Sequence, residues 1–366
     1  MKPRVGLVML NMGGPATVPE VGPFLQRLFS DPEIIALGPL QGTLGPFIAK
    51  RRTPRIEKQY EEIGGSPIRR WTEIQGRGVT ERLDKALPAL APFKSYIAFR
   101  YAHPLTEETL LEMKRDGVQR AIAFSQYPQY SCTTAGSSMN HLWRELRRLG
   151  MEQDFQWSVI DRWPVHPGYV SAIVKLVQEG LDRFPADVRS QVPIVFSSHG
   201  LPQKIIERGD QYAQEVAGTV QAVMQKLEYS NPYIHAWQSK VGPLPWLVPK
   251  TEKVLEGLGK QGFKNVLVAP VGFTSDHVET LFELDIEYKE SAMKAGIERF
   301  ERAASLNDEP LFIDALADVV KTHIESGQVS TNQYRINCAY CVNRTCRSVV
   351  NPIKPYSNLR TEFGFK

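Results

Sequence analysis

Residues 192–202 read VPIVFSSHGLP, and the fold class turns on how that stretch is taken. Val192, Ile194, Val195 and Phe196 make a short β-rich apolar run, which breaks off at Ser197-Ser198-His199-Gly200-Leu201-Pro202. A continuous apolar run of this length is the pattern of a strand buried on both faces, and so of a parallel sheet under helices. The residues that follow, QKIIERGDQYAQEVAGTVQAVMQKLEY, predict a loop and then a long helix. In open α/β sheets ligands sit beyond the carboxyl ends of the strands, which puts His199 where such folds carry function.

The same unit recurs on either side. Strands are expected at 5–10, 95–99, 120–125 and 157–160, and again, after the His199 strand, at 233–237 and 265–270, with helical segments between them. Alternation of this kind predicts an α/β fold: two Rossmann-like doubly wound domains with parallel sheets, over residues 1–158 and 159–326. The helices then act as right-handed crossovers, and the last of them is free to pack back on the first domain. Beyond residue 327 the pattern is exhausted, leaving a cysteine-bearing extension over 327–366. Strand ends rich in Arg, Tyr, Trp and His are expected to line the cleft between the domains, a lining suited to a large, flat, aromatic or anionic ligand.

Length and composition bound the rest. A chain of 366 residues exceeds one ordinary core, and 42% apolar with 23% charged residues is a globular composition. A net charge of +4 does not suggest nucleic acid. There is no run of 18 apolar residues, and the N-terminus enters a strand at once without a leader pattern, so any organelle leader is expected to have been removed. The glycines of Asn11-Met12-Gly13-Gly14-Pro15 match neither common nucleotide fingerprint. Residues 37–49, LGPLQGTLGPFIA, run directly into Lys50-Arg51-Arg52. Their prolines and glycines predict an irregular segment exposing Leu37, Leu40, Leu44 and Phe47, and apolar side chains beside cations fit a membrane surface or a pocket lip. Residues 238–249 repeat that character.

Two constellations carry chemistry. Asp276, Glu279, Glu283 and Glu287 recur at steps of three and four, which on a helix capped by Ser275 or Asp276 would align four carboxylates along one face. Such a file can pass protons or hold a cation; a solvated acidic face is the plainer alternative. Cys338, Cys341 and Cys346 lie within nine residues, and one other cysteine exists, Cys132. On spacing, a structural zinc and an iron–sulfur cluster both fit four thiolates.

Taken together, LNMGGP at 10–15, AKRRTPR at 49–55, GGSPI at 64–68, QYPQYSC at 126–132, DRWPVH at 161–166, FSSHGLP with ERGDQY at 196–212, WQSKVGPLPWL at 237–247 and FTSDHVETLFELDIEY at 273–288 resemble the ferrochelatases, in their animal and cluster-containing branch. The likeness runs from about residue 4 to about residue 350. It implies a lyase that inserts ferrous iron into protoporphyrin IX to make protohaem, the terminal step of haem biosynthesis. It also implies a homodimer, a [2Fe-2S] cluster on Cys132, Cys338, Cys341 and Cys346, and a peripheral membrane contact. The location implied is the matrix side of the mitochondrial inner membrane, a bacterial membrane-associated cytoplasmic origin being the alternative. By the same resemblance His199 and Glu279 are catalytic, with His166 and Asp318 implicated beside them. Porphyrin contacts fall on Met12, Arg51, Arg52, Tyr60, Ser66, Arg100, Tyr127, Trp246, Phe273, Asp276 and His277, and Glu283 and Glu287 form a proton or iron relay. His199 and Glu279 are expected to face each other across the porphyrin. The competing classes are a non-enzymatic haem or metal carrier and a cobalt or nickel chelatase for another tetrapyrrole.

Overall fold

The computed structural model describes residues 5–34, 37–341, 343 and 346–348. The chain divides into two compact units, Met1–Trp163 with Ile313–Lys366, and Pro164–Phe312. The part of the expected extension beyond residue 348 lies outside the described residues.

The first unit holds strands β1 (Val5–Asn11), β2 (Phe93–Phe99), β3 (Arg120–Ser125) and β4 (Gln156–Ile160), all parallel, in the order β2-β1-β3-β4. All seven residues of β1 are buried, as a central strand between helical layers requires. Val8, Leu10, Ala98, Ala121, Ala123 and Val159 pack against Leu110 and Met113 of helix Thr106–Asp116 and against Met139, Leu142 and Leu146 of helix Ala135–Arg148. Val329 and Tyr334, from the segment after the last helix, join this core.

The second unit holds β5 (Ile194–His199), β6 (Tyr233–Gln238), β7 (Asn265–Pro270) and β8 (Arg299–Arg302), again parallel, in the order β6-β5-β7-β8. Two parallel α/β sheets are therefore present. β8, with the sequence RFER, carries no apolar run and is invisible to hydrophobic patterning; it is specified by pairing with β7. β5 extends three residues past the apolar run, so His199 is the last residue of the strand, in register with Gln238 of β6.

Two local expectations are corrected. Residues 41–49 are helical, the first turns of helix Gln41–Ile63, despite Pro46 and Pro54 inside it. A proline within a helix costs about 3 kcal/mol, and tertiary fastening offsets it. Gln41 accepts from the Leu37 N–H at 2.8 Å and donates to the Phe29 carbonyl at 3.0 Å. Gly45 lets the helix settle on that turn, since a Cβ there would stand 2.6 Å from the Phe29 carbonyl oxygen. The exposure expected of Leu40, Leu44 and Phe47 is nevertheless present. The second correction concerns the acidic segment. Glu279–Tyr288 is a π-helix with no side-chain cap, a wide i→i+5 turn that is rare and frequent at functional sites.

Candidate active site

The second unit's site is built where β5 and β6 end. Gly200 continues from His199 with its N–H on the Gln238 carbonyl at 2.9 Å, and an added Cβ would lie 2.9 Å from that oxygen. The close approach turns the chain sharply beyond the strand and leaves the imidazole at the sheet's carboxyl edge. Tyr212 donates its hydroxyl to the His199 carbonyl at 3.1 Å, and the Trp246 ring meets the imidazole edge-on at 6.2 Å. Trp246 is held by a bridge to Pro202.

His199 Nδ1 lies 2.9 Å from Glu279 Oε2. A carboxylate only accepts, so Nδ1 carries the proton; Nε2 makes no hydrogen bond among the described residues, and 32% of the side chain is exposed. The two groups touch, so a ring cannot lie between them, and the expectation that they face each other across the porphyrin is corrected. Burial works to lower the pKa of His199, but the charge and hydrogen bond of Glu279 outweigh it and the net shift is upward. Burial likewise works to raise Glu279, and His199 reverses it, holding the carboxyl below its usual range. His277 stands 3.9 Å from the same oxygen, and its Nδ1 donates to the Ser275 carbonyl at 3.0 Å. Burial depresses its pKa, so it remains neutral there. Phe273 packs against the His277 ring at 4.6 Å.

Glu283 is the next acid inward. Gln238 bridges to it, donating from Nε2 to the Glu279 carbonyl at 2.9 Å and to Glu283 Oε2 at 3.1 Å, while Ser239 donates to Glu283 Oε2 at 2.5 Å. Gln238 is itself fixed by the Ser197 hydroxyl at 2.6 Å. Burial and the Glu279 charge push Glu283 up to about 7. A depressed and a raised carboxyl side by side form the pattern of an acid–base pair. Glu287, half-buried, follows on the same π-helix.

Asp276 does not join this file, which corrects its place in the carboxylate array. It precedes the π-helix, and Thr280, Ser305 and Asn307 donate to its carboxylate at 2.9, 2.6 and 2.8 Å, with Arg302 at 3.3 Å. Its accepting capacity is used within the protein. His166 lies at the N-cap position of helix Pro167–Asp182.

The first unit carries the remaining residues. The Met12 N–H donates to the Tyr127 hydroxyl at 2.9 Å, which donates to Asn11 Oδ1 at 3.2 Å, joining the ends of β1 and β3. Ser66 is buried, its N–H on the Pro15 carbonyl at 2.8 Å. On helix Gln41–Ile63, Arg51 is exposed, Arg52 lies over the Phe29 ring at 5.4 Å and Tyr60 is buried. Arg100 is buried, ion-paired with Asp31 and stacked on Tyr101 at 4.9 Å, so its charge is matched inside the protein. Asp318 lies on the exposed side of helix Pro310–Ser326.

None of the four cysteines is in a disulfide, and each is half-exposed. Cys341 and Cys338 share a turn, with N–H to carbonyl 3.0 Å. Burial raises the pKa of Cys346, whose thiol neighbours Arg347 and Cys341 and hydrogen-bonds Tyr130, two residues before Cys132. Arg347 in turn lies over the Tyr130 and Tyr334 rings, both at 5.4 Å. Among the described residues no three His, Cys, Asp or Glu side chains are arranged to hold a metal ion. As a donor set the four thiols suit a tetrathiolate centre.

Sequence reasoning missed Gln238, Ser239, Tyr212 and Arg302. Each reaches its partner across the fold, Gln238 to Glu283 over 45 residues, for example, and no local signal carries such a contact.

Two parallel α/β units, one of them ending a strand in a partly buried imidazole–carboxylate pair backed by a second carboxyl of raised pKa, define a protein of the doubly wound class with a site suited to acid–base chemistry. The ferrochelatase family model matches residues 4–324. The mitochondrial ferrochelatase of Bos taurus is 55% identical over 348 residues, covering 94% of this chain and 83% of that protein. That of Gallus gallus is 53% identical, covering 94% and 86%. Among solved structures, SirB from Bacillus subtilis with Fe3+ aligns with a TM-score of 0.49 at 12% identity, over 69% of this chain and 92% of that one. The chain belongs to the ferrochelatase family.

Proposed function

We propose that His199 and Glu279 form the base of the family reaction in this chain, with Glu283 and Glu287 behind them as the path by which protons leave. The chain is a ferrochelatase and catalyses the terminal step of haem biosynthesis, insertion of ferrous iron into protoporphyrin IX. That reaction exchanges one Fe2+ for two pyrrole protons, so two protons must leave the macrocycle for each haem made. The observation that carries the reading is the 2.9 Å contact between His199 Nδ1 and Glu279, which leaves Nε2 with its lone pair free. Nε2 takes a pyrrole proton as general base, and the Glu279 carboxylate stabilises the imidazolium that results. Glu283, pushed up to about 7, is poised to take a proton onward near neutral pH. A pocket that binds the bent macrocycle better than the flat one lowers the barrier by differential binding. The planar forks of Arg51 and Arg52 suit the propionates, and Met12, Tyr60, Ser66, Tyr127, Trp246, Phe273 and His277 contact the ring. His166 and Asp318 take supporting roles.

Cys132, Cys338, Cys341 and Cys346 would hold a [2Fe-2S] cluster, a one-electron centre when bound. The protein acts as a homodimer at the matrix side of the mitochondrial inner membrane, with peripheral contact through exposed apolar side chains. No helix among the described residues is long and apolar enough to cross a membrane, while Leu40 and Phe47 in one segment and Leu244 and Val248 in the other are exposed by 56–70%. Purified protein given protoporphyrin and ferrous iron tests the base: His199→Ala retains porphyrin binding and loses turnover by about 10²–10⁴-fold. Wild-type turnover in that variant overturns the assignment.

A further inference from the structure

The π-helix that carries Glu279 and Glu283 is an unfavourable conformation, with one more residue in each hydrogen-bonded ring than an α-helix. Left to itself, this segment gains by tightening to the ordinary helix, which would rotate and shift the two acids relative to His199. Ten consecutive residues, Glu279–Tyr288, keep the wide turn. Something outside the segment must favour it, and the contacts show what does.

Arg302 is the last residue of β8 and is largely buried, 13% of its side chain being exposed. Its guanidinium grips Asp285 with two parallel bonds, Nε to Oδ1 at 2.7 Å and Nη2 to Oδ2 at 2.9 Å. The third nitrogen, Nη1, lies 3.3 Å from Asp276 Oδ1 and donates to Ser305 Oγ at 3.1 Å and to the Ala303 carbonyl at 3.3 Å. One side chain thus ties a residue three places ahead of the π-helix to a residue in its middle. Burial disfavours the charge on Arg302, but Asp285 and Asp276 more than compensate and the net pKa shift is upward. A helix with more residues per turn is shorter for the same residue count, so an anchor spanning 276 to 285 selects the compressed form.

The near end is clamped independently. Asn307 donates to Asp276 Oδ2 and accepts from the Asp276 N–H, both at 2.8 Å, and Thr280, within the π-helix, donates to Asp276 Oδ1 at 2.9 Å. The anchor is rigid because β8 pairs with β7, whose neighbour β5 ends in His199. The base and the anchor of its partner therefore belong to one sheet.

We propose that Arg302 is a positioning residue, which by bridging Asp276 and Asp285 holds the π-helical turn that presents Glu279 and Glu283 to His199. The inference rests on the reading of His199 and Glu279 as the base. It accounts for Asp276, an acid at the head of the functional segment whose oxygens are both engaged within the protein. It also gives a further role to β8, a strand on which Phe300 alone is buried.

Arg302→Lys keeps the charge but loses the fork and cannot reach both carboxylates. Asp285→Asn is the milder variant, breaking the grip on the helix while leaving Arg302 on Asp276. The control is Arg183→Lys, which disturbs an ion pair to Glu301 at 2.8 Å and a hydrogen bond to the Arg302 carbonyl at 2.6 Å on the same strand, but touches neither the Arg302 guanidinium nor the π-helix. Turnover, the KM for protoporphyrin and the pH–rate profile are measured for each folded variant. The expected result is a fall in kcat of roughly 10–100-fold for Arg302→Lys, a smaller one for Asp285→Asn, little change in KM, and an acid limb of the profile displaced to lower pH as Glu279 moves off His199. Arg183→Lys stays at the wild-type values. If both clamp variants keep the wild-type kcat and acid limb while His199→Ala is inactive, Arg302 has no positioning role. An equal effect from Arg183→Lys also overturns it, since general loosening of β8 would then be the cause. Wild-type turnover in His199→Ala and Glu279→Gln, by contrast, removes the base itself.

Discussion

Replacing Glu279 by Gln tests the central pair with the least disturbance of shape. The amide keeps the length and one accepting oxygen, so the 2.9 Å contact to His199 Nδ1 can persist. What disappears is the charge. A hydrogen bond to a charged group contributes about 1.5–3 kcal/mol, so removing the charge that stabilises the imidazolium slows the proton-accepting step by about 10- to 150-fold at about 1.4 kcal/mol per decade. The pH dependence supplies a second readout with a definite sign. In the wild type the net shift of His199 is upward because Glu279 overcomes burial. Without that charge, burial prevails and the imidazole pKa falls. The base is inactive below its pKa, so the acid limb of the kcat profile moves to lower pH in Glu279→Gln even as the plateau drops. Haem formation is followed by absorbance at saturating protoporphyrin and ferrous iron between about pH 6 and 9, a range that brackets the ordinary histidine value. Unchanged kcat together with an unchanged acid limb would falsify the pairing. A fall in kcat with the acid limb fixed would mean that Glu279 acts on the substrate and leaves the base unaltered.

Three further outcomes are expected. Glu283→Gln slows turnover less than Glu279→Gln, and Glu287→Gln less again; equal wild-type rates for all three would sink the relay. Because the folded pKa of Glu283 is raised to about 7, the wild type loses stability as pH rises from the unfolded value through 7, so Glu283→Gln gains on the wild type more at pH 8 than at pH 5 in denaturant titrations; a constant difference would show that Glu283 is unperturbed. Serine at any of Cys132, Cys338, Cys341 or Cys346 bleaches the visible absorption of an iron–sulfur centre, whereas stoichiometric zinc without inorganic sulfide would make the tail a zinc site. Polar residues at Leu40 and Phe47, or at Leu244 and Val248, weaken binding to anionic liposomes, and retention of both variants would leave those exposed side chains without a membrane role.

Much of this protein is legible along the chain, because the interactions that decide it are local or periodic. Apolar runs at 5–10, 120–125, 192–196 and 265–270 define buried parallel strands, since a strand covered on both faces has no polar side to show. His199 stands out because an apolar run ends at it, and the long motifs around it carry the family. Tertiary structure decided the rest. Prolines at 46 and 54 argue against a helix only while the chain is read locally; Gln41 and Gly45, fitted against the Phe29 carbonyl, keep Gln41–Ile63 helical. Carboxylates at 276, 279, 283 and 287 look equivalent in a periodic pattern. In the folded chain Asp276 is absorbed by Arg302, Ser305 and Asn307, while Glu279 is charged beside His199 and Glu283 is pushed toward neutrality. Nothing in the local sequence distinguishes them, because a carboxyl's state depends on the charges and burial around it, and the partners that separate them include Arg302, 26 positions from Asp276, and His199, 80 positions from Glu279. The π-helix was likewise unreadable, since its anchor lies on a strand, Arg299–Arg302, that hydrophobic pattern does not reveal. Sequence determined which chemical groups are available and that parallel sheets would carry them; packing across the fold determined which acid meets the histidine, and in what charge state.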